Sequence, residues 1–353
     1  MRIGIPKEVK TLEGRVALIP AAVTELINEG HELILQAGAG EKSGYTDQAY
    51  LQIGARIVPD ATTLYQHSEL IVKVKEPQPE EWPLLRADHR LFCYLHLAAE
   101  PKLTEALLAI GLTAVGFETV VDPQGHLPLL APMSAIAGRI AVQEGSHYLH
   151  QAQGGRGLLL GGIPSTTRGK VVVLGAGVAG SHAATMAAAI GAQVTVFDTN
   201  MAKLQTMHDL GANVTALYPY ADSLHSAVID ADLLIGAVLI PGARAPHLVN
   251  ADTVREMKKG SVIIDISVDQ GGCIETTRPT SYAEPTFVWE EVVHFGVTNM
   301  PGAVPRTASQ AISAALIPYV RAMAQPTWID MPDLKAGINV MGGVLVHPAL
   351  KQN

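Results

Sequence analysis

The chain has 353 residues, of which 33 are acidic and 25 basic, for a formal net charge of -8, a balance that argues against a nucleic-acid footprint or docking on an anionic membrane. At roughly 150 residues per domain the length implies two domains, each able to bury its own core. The two cysteines, Cys93 and Cys273, are too few for a disulfide framework or a zinc site and suit a reducing compartment.

The opening MRIGIPKEVK carries no apolar secretory stretch, which with the cysteine usage predicts a cytoplasmic location. Short β-rich runs then alternate with helical patterns: RIGIP, PAAVTELINEG, HELILQAG. That rhythm predicts parallel strands joined by helices, an α/β fold. In the first helix Val23, Leu26 and Ile27 share a face and Gly30 stands at the C-terminal cap. Further strands are predicted at Leu70 to Val74, Leu91 to Leu95 and Thr113 to Phe117, the last two flanking a helix from Lys102 to Ile110. Cys93, in the apolar run LFCYL, reads as a buried core thiol.

Beyond Pro128 the texture changes to a long small-residue helix, SAIAGRIAVQEGSHYLHQA, read as a connector, and then the glycine-rich GGRGLLLGGIPSTTRG. A second array of strands follows in KVVVLG, AQVTVFD, ADLLIGAVL, GSVIIDIS and HFGVTN. Val171 to Phe197 contains no Asp, Glu, Lys or Arg and is long enough to span a bilayer. Its glycines, Gln193, Thr195 and the β-branched run at each end instead describe a buried strand, a helix and a second buried strand. The helical pattern from Ser309 to Met323 is predicted to return to the first domain.

The strongest motif is Gly175-Ala176-Gly177-Val178-Ala179-Gly180, between the strand VVVL and the helix SHAATMAAAIG. The first glycine permits the tight turn, the second lets backbone approach a pyrophosphate, and the third lets helix pack on strand. The N-terminus of that helix would meet the phosphates with unpaired N–H groups. Asp198 ends the next strand, where an acidic side chain receives ribose hydroxyls. This predicts NAD: a 2′-phosphate roughly 4 Å away would suffer about 1–4 kcal/mol of repulsion. Lys203, one turn later, is either a phosphate contact or a solvated helix lysine. The expected architecture is two Rossmann-like doubly wound domains with a cleft between them. Residues 1–128 plus 307–353 form a discontinuous substrate and catalytic domain, and 129–306 an NAD-binding domain.

In the first domain Lys75 follows LIVKV, His96 follows RLFCYL and Glu118 follows TAVGF, so each leaves the carboxyl end of a predicted strand. That edge is where ligands bind in open α/β sheets, and three polar groups there form a convergent site. In the second domain DISVDQGG places Asp269 just past the fourth predicted strand, on the edge where a nicotinamide would lie. It is either a site residue or an acidic loop residue bonded to its own backbone.

Together these residues resemble the NAD-dependent alanine dehydrogenase family over essentially the whole chain. The stretches that carry the resemblance are GRVALIP with Arg15, VKVKEP with Lys75, HLAAE with His96, LPLLAPMSAIAGR, QGGRGLLLGG, VLGAGVAG, DISVDQGG with Asp269, and NMPGAVPRTAS. The resemblance implies oxidative deamination of L-alanine to pyruvate and ammonium, with Arg15 and Lys75 holding the substrate and His96 and Asp269 exchanging protons. It implies NAD contacts at Ser134, Val178, Ala179, Asp198 and Lys203. A nicotinamide lining is implied from Val238, Leu239, Ile266, Ser267, Val268, Asp269, Val297, Thr298, Asn299 and Met300. The implied assembly is a homohexamer whose partner is a small amino acid or 2-oxo acid, with no metal, nucleic acid or membrane. Two departures from the family pattern are Pro219 where a hydroxyl residue is common beside the adenosine, and a C-terminal NVMGGVLVHPALKQN that is shorter than usual. The alternative is a non-catalytic NAD(H)-binding component of a transhydrogenase-like complex, which generally lacks the counterparts of His96 and Asp269. A saccharopine-forming dehydrogenase would need a larger pocket, and no feature supports one.

Overall fold

The apolar runs become fully buried strands and the buried stripes of helices in the computed structural model, which describes residues 1–238 and 246–351. The chain divides into two units, Met1–Met133 with Val304–Asn353, and Ser134–Ala303.

In the first unit β1 (Arg2–Ile5), β2 (Glu32–Gln36), β3 (Arg56–Val58), β4 (Leu70–Val72), β5 (Arg90–Cys93) and β6 (Thr113–Gly116) pair in parallel in the order β3-β2-β1-β4-β5-β6. In the second unit β7 (Lys170–Leu174), β8 (Gln193–Phe197), β9 (Val214–Leu217), β10 (Leu233–Gly236) and β11 (Val262–Asp265) are followed by β12 (Thr286–Trp289) and β13 (Val292–Phe295). Their order, β12-β13-β11-β10-β7-β8-β9, repeats the first arrangement with β12 added antiparallel at the edge. Both sheets are therefore doubly wound, and the strand order reverses beside β1 in one and β7 in the other. The chain then returns to the first unit, where β14 (Ile338–Met341) pairs antiparallel with β6 and β15 (Val344–Leu345) closes that edge.

Local signals explain the element bounds. Proline occupies the first turn of the helices Pro20–Asn28 and Pro101–Ile110, where its missing N–H costs no hydrogen bond. Gly111 ends the second of these in the left-handed conformation, at φ 78°. The connector helix spans Ala131–Tyr148, starting three residues before its small-residue pattern and ending four residues short of the pattern's end, where the chain breaks into a 3-10 turn at Gln151–Gln153. Cys93 is fully buried among Leu91, Leu95 and Leu107 in the core beside β5.

β9 was not among the expected strands. It is an edge strand whose residues are mostly half-exposed or exposed, so it lacks the apolar signal of a central strand. Asp269 consequently follows the fifth strand of its unit in chain order, β11, rather than the fourth. Among the described residues no helix is long and apolar enough to cross a membrane.

Candidate active site

The loop after β1 carries Arg15, which is 3% exposed. Three hydroxyls hold this loop: Val16 N–H donates to Ser309 Oγ (2.9 Å), Ile19 N–H to Ser313 Oγ (3.1 Å), and Ser43 Oγ to the Gly14 carbonyl (2.7 Å). Ser309 and Ser313 are one turn apart on the returning helix Pro305–Met323, so the last part of the chain sets the position of Arg15. The guanidinium donates from Nε to Glu13 Oε1 (2.7 Å), from Nη2 to Glu13 Oε2 (2.5 Å), and from Nη1 to Met133 Sδ (3.2 Å). One edge of its fork is thus committed to Glu13.

Lys75 lies beyond the end of β4. The Glu8 carboxylate receives the Val74 N–H at 2.6 Å, and the Lys75 N–H sits 3.4 Å from both of its oxygens. Behind this loop Lys73, 1% exposed, lies between Glu81 (2.7 Å) and Glu8 (3.6 Å). Burial pushes the Lys75 ammonium below its ordinary range, and the adjacent Arg15 charge pushes the same way. A lysine so perturbed gives up a hydrogen-bonding proton more readily than a solvated one.

His96 lies beyond β5, and its backbone is in the left-handed region at φ 51°, a conformation that costs a non-glycine residue about 1–3 kcal/mol unless its surroundings impose it. Glu118, beyond β6, imposes it: its Oε1 accepts the His96 N–H at 2.7 Å, and the Leu95 N–H sits 3.2 Å from both carboxylate oxygens. The imidazole stacks on Tyr94 with ring centres 5.8 Å apart and planes at 8°. Tyr94 is anchored by its hydroxyl to the Leu129 carbonyl at 2.7 Å. Arg15 lies close enough for its charge to oppose the upward push that burial gives the Tyr94 phenol. Arg15, Lys75, Tyr94 and His96 therefore form one neighbourhood at the carboxyl edge of the first sheet.

The carboxyl edge of the second sheet collects the cofactor candidates. Gly175 follows β7 at φ 95°, and a Cβ there would lie 2.7 Å from the Ala237 carbonyl. A Cβ at Gly180 would fall 1.8 Å from the Gly175 carbonyl, whereas at Gly177 it would meet no heavy atom within 4 Å. The loop is closed where helix meets strand and open where a phosphate would approach. Gly177 precedes the helix Val178–Ala189, and no side chain among the described residues caps that helix. These residues fit a dinucleotide pyrophosphate. Asp198, past β8, accepts the Ala176 N–H (2.7 Å) and the Asn200 N–H (2.8 Å), which ties the glycine loop to the end of β8.

Past β10, Val238 accepts the Ser267 hydroxyl at 2.7 Å. Past β11 come Ile266, buried Ser267 and Val268, and exposed Asp269 in the 3-10 turn Val268–Gln270. Past β13 come buried Val297, exposed Thr298, half-buried Asn299 and buried Met300, whose carbonyl accepts the Tyr282 hydroxyl at 3.0 Å. Ser134 is half-buried in the connector helix, Lys203 is exposed on the helix Met201–His208, and Leu239 lies outside the described residues. Among the described residues no group of three or more His, Cys, Asp or Glu side chains can hold a metal ion.

Sequence reasoning missed Glu13, Glu8, Lys73 and Glu81 as partners. One signal was available: Lys73 interrupts the apolar run LIVKV, and a lysine in a central strand requires a buried anion.

Residues 4–137 match the alanine dehydrogenase/PNT N-terminal domain, and residues 141–348 the C-terminal domain of the same name. An alanine dehydrogenase from Mycolicibacterium smegmatis is 49% identical, covering 100% of this chain and 96% of its own length. One from Halomonas elongata is 48% identical with the same coverage. A solved structure of an L-alanine dehydrogenase superposes with a TM-score of 0.96 at 50% identity, covering 100% of this chain and 98% of its own. A transhydrogenase from Sinorhizobium meliloti superposes at 0.86 with 27% identity, covering 99% and 100%. Matched along both of its units, the chain belongs to the alanine dehydrogenase/PNT family.

Proposed function

We propose that the chain is an NAD-dependent L-alanine dehydrogenase, converting L-alanine reversibly to pyruvate and ammonium. The observation that carries this reading is His96, held beside Arg15 and Lys75 at one sheet edge, in a chain whose full-length relatives are named alanine dehydrogenase. The His96 and Asp269 positions favour it over a non-catalytic NAD-binding component.

When bound, NAD supplies the acceptor for the hydride that leaves the substrate Cα. The chain's own residues do the rest. The substrate carboxylate is met by the Arg15 guanidinium and by the Lys75 ammonium, which also polarises the 2-oxo group in the reverse direction. His96 accepts a proton as water adds to the iminium carbon and returns one to the departing ammonia. Asp269 stabilises the positive charge that develops on the substrate nitrogen. Asp198 receives the ribose hydroxyls, and its carboxylate repels a 2′-phosphate. The family resemblance extends to a cytoplasmic homohexamer, which sedimentation of the purified protein would test.

Initial rates of NADH formation across small L-amino acids test the reading. L-alanine should be the best substrate, with L-serine or glycine trailing, and NAD should be preferred to NADP by about ten-fold or more. Absence of turnover with every small amino acid would overturn it, and equal use of both cofactors would remove the role given to Asp198.

A further inference from the structure

A proton carrier works only if its ring is aimed, and the His96 imidazole is aimed by its backbone. β5 ends at Cys93, so the Leu95 and His96 N–H groups lie past the strand. The Glu118 carboxylate takes both, at 3.2 Å and 2.7 Å, and the His96 backbone between Leu95 and its next turn is left-handed. Without that acceptor two adjacent donors lose their partner, and the non-glycine backbone has every reason to relax to negative φ, which swings the imidazole off the Tyr94 ring.

Glu118 is held in turn. It lies in the 3-10 turn Phe117–Thr119, where Thr119 Oγ1 sits 3.0 Å from the carbonyls of both Gly116 and Gly337. Asn339, on β14 and 1% exposed, donates from Nδ2 to Thr119 Oγ1 at 2.6 Å and to the Gly337 carbonyl at 2.9 Å. A Cβ at Gly116 would lie 2.8 Å from Thr119 Oγ1 and 3.4 Å from the Glu118 carboxyl carbon. The turn is packed closely enough to fix the carboxylate. The support runs from Asn339 through Thr119 and Glu118 to His96, so the returning C-terminal segment braces the loop from the side of β6.

We propose that Glu118 is a positioning residue for proton transfer: it clamps the Leu95 and His96 N–H groups and so presents the imidazole to the substrate nitrogen. The proposal rests on the reading of His96 as the proton carrier. What matters is an acceptor oxygen at the correct reach, so Glu118→Gln, which keeps that oxygen, should be milder than Glu118→Asp, which keeps the charge but is one methylene short.

The test is steady-state L-alanine oxidation, with NADH affinity followed by fluorescence, on the full-length protein and its Glu118→Ala, Glu118→Gln, Glu118→Asp, His96→Ala and His96→Ala/Glu118→Ala variants. Glu118→Ala should lower kcat by about 10- to 100-fold with NADH affinity unchanged, and Glu118→Gln should recover to within about five-fold of the unmodified protein. In the His96→Ala background the second substitution should cost nothing further. Should Glu118→Ala fail to fold, the ranking of Gln above Asp decides alone. Undiminished kcat in Glu118→Ala, Asp ranking above Gln, or a full additional loss in the double variant would overturn the proposal. Undiminished turnover in His96→Ala would instead sink the reading of His96 on which it rests.

Discussion

Arg15 is buried with its charge, and two needs meet on one guanidinium. Its Nε and Nη2 donors face Glu13, which offsets the desolvation of the cation. On the proposed reading the same guanidinium also meets the substrate carboxylate. A lysine at this position keeps the charge but presents a single compact ammonium, which Glu13 would capture. Arg15→Lys should therefore raise the KM for L-alanine by about ten-fold or more while NADH affinity holds, because the interaction lost is with the substrate carboxylate. Kinetics at saturating NAD would show it, and an unchanged KM would remove Arg15 from substrate binding.

Strand ends and loops carry most of the candidate chemistry, and the loop after β11 shows how one is fixed. Asp265, 0% exposed, accepts five hydrogen bonds from its own loop: Ser267 N–H (3.0 Å), Cys273 N–H (2.9 Å), Cys273 Sγ–H (3.8 Å), Ile274 N–H (3.3 Å) and Thr277 Oγ1 (2.9 Å). Gly272 completes the turn at φ 73°, where a Cβ would press within 2.8 Å of Asp265 Oδ2. Asp269 rides on the arc so closed. An asparagine at 265 must turn its amide nitrogen toward one set of these donors, leaving buried groups unpaired at a cost of about 1–3 kcal/mol. Asp265→Asn should lose that much stability in urea unfolding and lower kcat/KM for L-alanine. Parent-like values of both would contradict the clamp.

The same loops mark what the sequence makes legible. The central strands and the glycine motif are written locally, as apolar runs and as spacing, so Lys75, His96, Glu118 and Asp198 could be placed at strand ends. β3, β9, β12 and β15 are edge strands with weak or short apolar patterns, and β14, between β6 and β15, is only four residues long. Glu8 pairs with Lys73 and accepts the Val74 N–H 66 residues away, contacts that only the folded sheet creates, whereas Glu13 and Glu81 are near their partners in sequence and their roles depend on the burial of Arg15 and Lys73.

At the scale of the whole molecule those buried acids set a dependence of stability on pH. Lys73 is buried between Glu8 and Glu81. Burial alone would pull its ammonium down, but the two carboxylates together hold it above its ordinary value. Glu8 experiences the reverse. Burial, with repulsion from Glu13 and Glu81, outweighs the attraction of Lys73 and the Val74 N–H, and its carboxyl is pushed up from 4.5 to about 7. A carboxyl raised on folding binds its proton more tightly in the native state. Its contribution to stability is therefore complete below about pH 4.5 and is lost as the pH rises through about 7, a change of about 3 kcal/mol. Glu8→Gln stays neutral at every pH and keeps an oxygen for the Val74 N–H. Its thermal midpoint relative to the unmodified protein should rise between pH 5 and pH 8, at roughly 2–4 °C for each kcal/mol in a unit of this size. The difference between the two proteins cancels the titrating groups distant from position 8, so its slope reports Glu8 together with the charges coupled to it, Lys73, Glu13 and Glu81. Scanning calorimetry of both proteins across that range is the measurement, and parallel curves would show that Glu8 titrates in the native protein as it does in the unfolded chain.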